Sequence, residues 1–181
     1  MHRDLVAHLL AHAVRTGDFV LKSGRKSSWF IDAKQTVTRP DGVLLVADAM
    51  LAVLPEDIDA IGGLTMGADP VAFSVAAIAA SRGRALKAFS IRKEVKDHGG
   101  GGRIAGALDP GDRVAITEDA VSRGTSPMEA AAVVRDAGAV PVLVVPLVDR
   151  GGTCEAMARA QGMDYCAIVT AIDLGFDFEG G

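Results

Sequence analysis

The sequence is poor in cysteine. It has two, Cys154 and Cys166, at a spacing that matches neither a zinc site nor a CxxC redox pair, which suits buried thiols in a reducing compartment. It lacks any apolar run long enough to cross a bilayer. It also lacks an excess of positive charge: 19 Lys and Arg stand against 23 Asp and Glu, for a net charge of −4. That balance gives no general attraction for nucleic acid or for an anionic membrane, so neither is expected as a partner. Neither the Walker nor the Rossmann glycine fingerprint is present; Gly24-Arg25-Lys26-Ser27-Ser28 resembles the former only superficially, without its spacing. There is no internal repeat and no linker. The first helical stretch carries acids and histidines and does not read as a signal peptide, so the expected location is the cytoplasm.

What is present describes a soluble globular chain: 181 residues, 49% hydrophobic and 23% charged, with one domain expected over 1–181. Helical periodicity over 4–16 places Leu5, Val6, Leu9, Leu10, Ala13 and Val14 on one stripe that stops at Gly17. His8 and His12, four apart on that helix, read as a solvated face, because no acidic or cysteine partner follows in register. Short apolar runs at 19–21 and 29–31 read as a hairpin. After it come a helix capped by Asp41 and running to about Val53, a strand at 59–64, a helix at 71–81 capped by Asp69, and strands at 86–91 and 103–107. A strand at 114–116, a helix at 128–137, a strand at 140–148, a helix from Thr153 and a strand at 165–169 complete the series. The tail beyond carries no signal. Strands alternating with helices predict an α/β fold: a mostly parallel open sheet with helices on both faces.

Residues 113–129 organise the rest. An apolar strand, Val114-Ala115-Ile116, leads to two adjacent carboxylates, Glu118 and Asp119, and then to a loop of small and hydroxyl residues. Ser126 reads as the cap of the next helix, with Pro127 first inside it and Glu129 closing a capping box. Free amides at such a helix start favour phosphate. Carboxylates repel phosphate but accept hydrogen bonds from a sugar diol. A phosphorylated ribose satisfies both halves.

Three further segments carry chemistry. Lys22, Arg25 and Lys26 share the hairpin with Trp29-Phe30, which reads either as a solvated turn beside a core Trp or as a platform for a flat anionic ring. Gly62-Gly63, before the loop 64–70, allows close approach to a ligand, and a structural turn would need the same glycines. Residues 92–102 hold Arg92, Lys93, Lys96 and His98 and then four glycines, read as a surface loop or as a lid closing over polyphosphate. Arg150 ends the apolar strand at 140–148 on the side where open α/β sheets bind ligands, though a surface ion pair is the common use of such an arginine.

Residues 117–126, TEDAVSRGTS, resemble the phosphoribosyl-pyrophosphate (PRPP) motif of type I phosphoribosyltransferases. LKSG with the aromatic pair, RKEVKDHG at 92–99 and the Asp149-Arg150 pair resemble orotate phosphoribosyltransferases in particular, in the order that family has them. The resemblance implies transfer of ribose 5-phosphate from PRPP to orotate, giving orotidine 5′-monophosphate and pyrophosphate in pyrimidine (UMP) synthesis. It implies Mg²⁺ as cofactor without direct protein ligands, and a homodimer whose catalytic loop is shared between subunits. By the same likeness Lys96, His98, Glu118 and Asp119 are catalytic. PRPP would be held by Lys22, Arg92, Lys93, Lys96, His98, Glu118, Asp119, Ala120, Val121, Ser122, Arg123, Gly124, Thr125 and Ser126. Orotate would be held by Lys22, Trp29, Phe30, Ser122 and Arg150, with residues 17–35 forming a hood over the base. The chain departs from the pattern at Glu118, where many relatives have Asp, at Arg123 inside the phosphate loop, and at Met66, where some carry lysine.

Overall fold

The computed structural model describes residues 2–20, 24, 26–94 and 102–179. The chain opens with α1 (Arg3–His12), which buries Leu5 and Leu9. It then turns at once into β1 (Val14–Val20), which pairs antiparallel with β2 (Lys26–Ile31). The helix expected to run to residue 16 therefore ends a turn early. Val14 and Thr16 are β-branched, and cross-strand pairing of Val14 with Ile31 and Thr16 with Trp29 outweighs the helical stripe.

A short helix α2 (Lys34–Val37) leads to α3 (Pro40–Val53). Arg39, not Asp41, is the cap of α3; Pro40 opens it and Asp41 lies in its first turn. Then follow β3 (Ala60–Leu64), α4 (Asp69–Ser81), β4 (Lys87–Ile91), β5 (Ile104–Gly106) and β6 (Arg113–Val121). The chain closes with α5 (Thr125–Asp136), β7 (Val140–Asp149), α6 (Cys154–Ala160), β8 (Asp164–Tyr165), β9 (Val169–Thr170) and a 3-10 turn, Ile172–Leu174. The single strand expected at 165–169 is thus two short ones, both paired with β7.

The seven strands form one sheet in the order β5-β4-β3-β6-β7-β8, with β9 also on β7. Every pairing in it is parallel except β4 with β5. Alternation along the strands feeds two cores, as expected for a sheet covered on both sides. Ala115, Val145 and Leu147 pack with α1, α3 and α4, whereas Val114, Ile116 and Val144 pack with α5 and α6. The chain extends from β3 to β4 in one direction and from β6 to β7 in the other, so the order reverses between β3 and β6. A crevice opens at the carboxyl ends of strands at such a switch. No helix among the described residues is long and apolar enough to cross a membrane.

Candidate active site

β6 is longer than its apolar run suggested. Glu118 and Asp119 lie inside its last turn of pleat, each 8% exposed, rather than in the loop beyond. They face the loop that follows β3. A Cβ on Gly67 would lie 1.7 Å from Glu118 Oε1 and 2.7 Å from Asp119 Oδ1, so glycine lets that loop pass over the acids without displacing them. Burial first, and the charge of Asp119 second, push the Glu118 carboxyl up to about 8. Asp119 takes another course: Lys34 Nζ donates to its Oδ2 and also lies 3.1 Å from Asp32. Burial by itself would lower the Lys34 ammonium, but the bonds and charges of Asp119 and then Asp32 hold it above its ordinary value. Glu118 is thus pushed toward its neutral form, and Asp119 is paired with Lys34.

Past Val121 the chain turns at Ser122-Arg123-Gly124 and enters α5. The cap is Gly124, at φ 79°, and not Ser126. No side chain caps the helix, and Glu129 pairs with Arg103 instead of closing a box. The correction strengthens the anion reading. The first-turn amides of Thr125 and Ser126 carry no side-chain cap, and Pro127 has no N–H to offer. Residues Ala120 to Pro127 line a cavity of about 1040 Å³, together with Phe30, Asp32, Gln35 and Arg150. Arg123 is exposed and on that lining, so it faces the cavity mouth.

Arg150 follows β7. Asp149 fixes the turn after it: Oδ1 accepts from the Gly151 and Gly152 amides, both at 2.9 Å, and Oδ2 accepts from the Tyr165 hydroxyl at 2.6 Å. Burial, and then that bond to Asp149, raise the Tyr165 phenol. Arg150 Nη2 donates to Ser27 Oγ and to the Trp29 carbonyl oxygen, each at 2.8 Å, and to Glu179. Its guanidinium lies 4.7 Å from the Trp29 ring centroid. Trp29 itself is 1% exposed and stacks on Phe176 at 4.5 Å. A covered ring cannot also stack on a base, so the platform reading fails for Trp29. Its neighbour Phe30, 40% exposed on the alternate face of β2, lines the cavity together with Phe19.

Arg92 and Lys93 follow β4 at the same edge of the sheet, but they are not on the cavity lining. Lys22, Lys96 and His98 lie outside the described residues. Lys34, Asp32, Gly67 and Glu179 were missed by the sequence reading. The first two sit two residues apart just after the hairpin, a spacing that signals nothing without the fold to bring Asp119 beside them.

A buried acid pair just before an uncapped helix start, which shares a cavity with an arginine, makes the comparisons with known proteins specific. No family model matches the chain. An orotate phosphoribosyltransferase of Nostoc sp. is 39% identical over 175 residues, covering 96% of this chain and 85% of the relative. The chain belongs to the orotate phosphoribosyltransferase family. That of Streptomyces coelicolor is 38% identical over 176 residues, covering 96% and 97%. The Mycobacterium tuberculosis orotate phosphoribosyltransferase, solved in complex with Fe(III) dicitrate, superposes with a TM-score of 0.84 at 31% identity, covering 97% of this chain and 99% of that one. The family's fold, a parallel sheet between helices, is the one described above.

Proposed function

We propose that the chain transfers the 5-phosphoribosyl group of PRPP to orotate, releasing pyrophosphate and forming orotidine 5′-monophosphate. One observation carries this reading: the buried acids of β6 precede the uncapped start of α5 by a single turn, and that helix start shares a cavity with Arg150. The 5′-phosphate would lie on the amides of Thr125 and Ser126, with the hydroxyls of Ser122, Thr125 and Ser126 around it. Its position sets the ribose over Glu118 and Asp119, which would accept from the two ring hydroxyls. As the bond from C1′ to pyrophosphate breaks, positive charge grows on the sugar. Asp119, held in place by Lys34, would stabilise that charge. Phe30 and Arg150 would receive orotate, the ring against the aromatic face and the carboxylate against the guanidinium.

The donors near the acids suit Mg²⁺: they are carboxylate oxygens, hard ligands that hold this ion through its waters. When bound, Mg²⁺ supplies charge neutralisation for the departing pyrophosphate. Glu118 and Asp119 are the residues that would hold it. Lys96 and His98 would meet the leaving group, by resemblance to the family. We read the working form as a homodimer in which the loop around them serves the neighbouring subunit. The position of Arg92 and Lys93, at the sheet edge but off their own cavity, supports this.

The test is spectrophotometric. Purified protein with PRPP and Mg²⁺ should consume orotate, and should leave adenine, hypoxanthine and uracil untouched. No loss of orotate absorbance under saturating PRPP overturns the assignment.

A further inference from the structure

Outside the cavity, α1 and α3 bring three metal-ligating side chains together. His8 and His12 stand four apart on α1, so both rings leave the same face, with centroids 4.5 Å apart. Asp41 reaches them from the first turn of α3, its Oδ2 3.4 Å from His8 Nε2. One donor atom from each of the three lies within 4.8 Å of the other two. The acidic partner that α1 lacks in its own register is supplied by a different helix.

His8 is the informative member. Only 8% of its side chain is exposed. Its Nδ1 lies 3.1 Å from Thr36 Oγ1, while Nε2 is buried and has no hydrogen-bond partner. In the tautomer whose Nδ1–H donates to the Thr36 hydroxyl oxygen, Nε2 is an acceptor 3.4 Å from Asp41 Oδ2. A proton on Nε2 turns that contact into an ion pair; a bound cation satisfies both atoms and the neighbouring His12 ring as well. An imidazole whose distal nitrogen is fixed by a polar partner is also how ligating histidines are oriented. His12 and Asp41 are exposed, which leaves an entry path and room for water as a further ligand.

We propose that His8, His12 and Asp41 form a site for a divalent transition ion of the zinc class. Two imidazoles and one carboxylate select such ions over Mg²⁺ or Ca²⁺, which prefer oxygen. Small side-chain rotations bring the donors to the roughly 2.0–2.2 Å that zinc requires. The ion ties α1 to α3 and, through Thr36, to α2, the helix that carries Lys34.

The probe is Zn²⁺ alone, titrated calorimetrically into the full chain after treatment with EDTA and without substrates. Wild type should take up about one equivalent, with affinity falling at least ~10-fold in His12→Ala and in Asp41→Asn. Both positions are exposed, so both variants should fold. Zinc should raise the melting temperature of wild type by a few degrees and leave those of the variants unmoved. No uptake by wild type, or uptake unchanged in both variants, overturns the site. Because no substrate is present, the outcome is independent of the transferase reading.

Discussion

Glu179 holds Arg150 twice. Its carboxylate takes Nη2 of the guanidinium, and its backbone N–H donates to the Arg150 carbonyl oxygen at 2.9 Å. The same carboxylate accepts from Ser27 Oγ at 2.8 Å, and three residues earlier Phe176 lies flat on Trp29. The C-terminal tail is therefore a strap over β2 and over the end of β7. Arg150 is 6% exposed, and a guanidinium that deep is costly unless a counter-charge meets it. Glu179 supplies the charge and fixes which edge of the fork remains for a ligand.

Glu179→Gln keeps the shape and removes the charge. Arg150 then loses a charge-assisted bond worth about 1.5–3 kcal/mol, and its fork is no longer pinned. The KM for orotate should rise roughly ten-fold, while the KM for PRPP should stay within about two-fold. Steady-state kinetics with each substrate varied in turn measure the split. A fall in the orotate KM would mean that Glu179 competes with the substrate carboxylate instead of orienting its partner.

Gly67→Ala tests the contact between the β3 loop and the acid pair. A methyl 1.7 Å from Glu118 Oε1 cannot be accommodated, but the atom it meets is the far end of a side chain, so the carboxyl moves before the backbone does. The fold should survive with a melting temperature lowered by only a few degrees, whereas kcat/KM for PRPP should fall by about 10²-fold or more. Thermal melts and kinetics on one preparation separate the two effects. A large loss of stability with proportionate loss of activity would assign Gly67 to the fold alone.

Glu118 makes stability depend on pH. Its carboxyl is raised from 4.5 to about 8 in the folded chain, so between those values the native state binds a proton that the unfolded chain has released. The stabilisation is complete below the unfolded value and is lost as pH rises through about 8. Glu118→Gln carries no such proton. Melting temperatures taken in EDTA from pH 5 to pH 9 should show the variant gaining on wild type as pH rises. Parallel curves would show that Glu118 is ionised throughout.

Most of the layout could be read from periodicity, because strands covered on both faces, such as Val140–Asp149, are nearly unbroken apolar runs. The strand, turn and helix around Gly124 were equally legible, because an apolar strand, a glycine and a proline mark each piece locally. Errors fell where a side chain's fate depends on partners distant in sequence. Trp29 and Phe30 look alike in the sequence, and only the pleat of β2 with Phe176 behind it decides which is core. Ser126 and Pro127 form a sound capping pattern, yet the left-handed turn at Gly124 starts the helix two residues earlier. Lys34 and Glu179 gave no local signal, since their partners lie 85 and 29 residues away.

Lys34 is the sharpest test of how the acid pair divides its labour. It neutralises Asp119 directly, and its charge also lowers the Glu118 carboxyl, acting against burial and against Asp119. In Lys34→Ala, Asp119 loses its partner, and Glu118 is driven higher still. The two carboxylates should then tend to share one proton, as adjacent acids do when no cation separates them. A shared proton occupies an oxygen that would otherwise accept from the ribose diol. The KM for PRPP should rise by about ten-fold with the orotate KM little changed, and the alkaline rise of kcat/KM for PRPP should move to higher pH than in wild type. If that limb stays where it is in wild type, Lys34 only orients Asp119 and does not govern the ionisation of the pair.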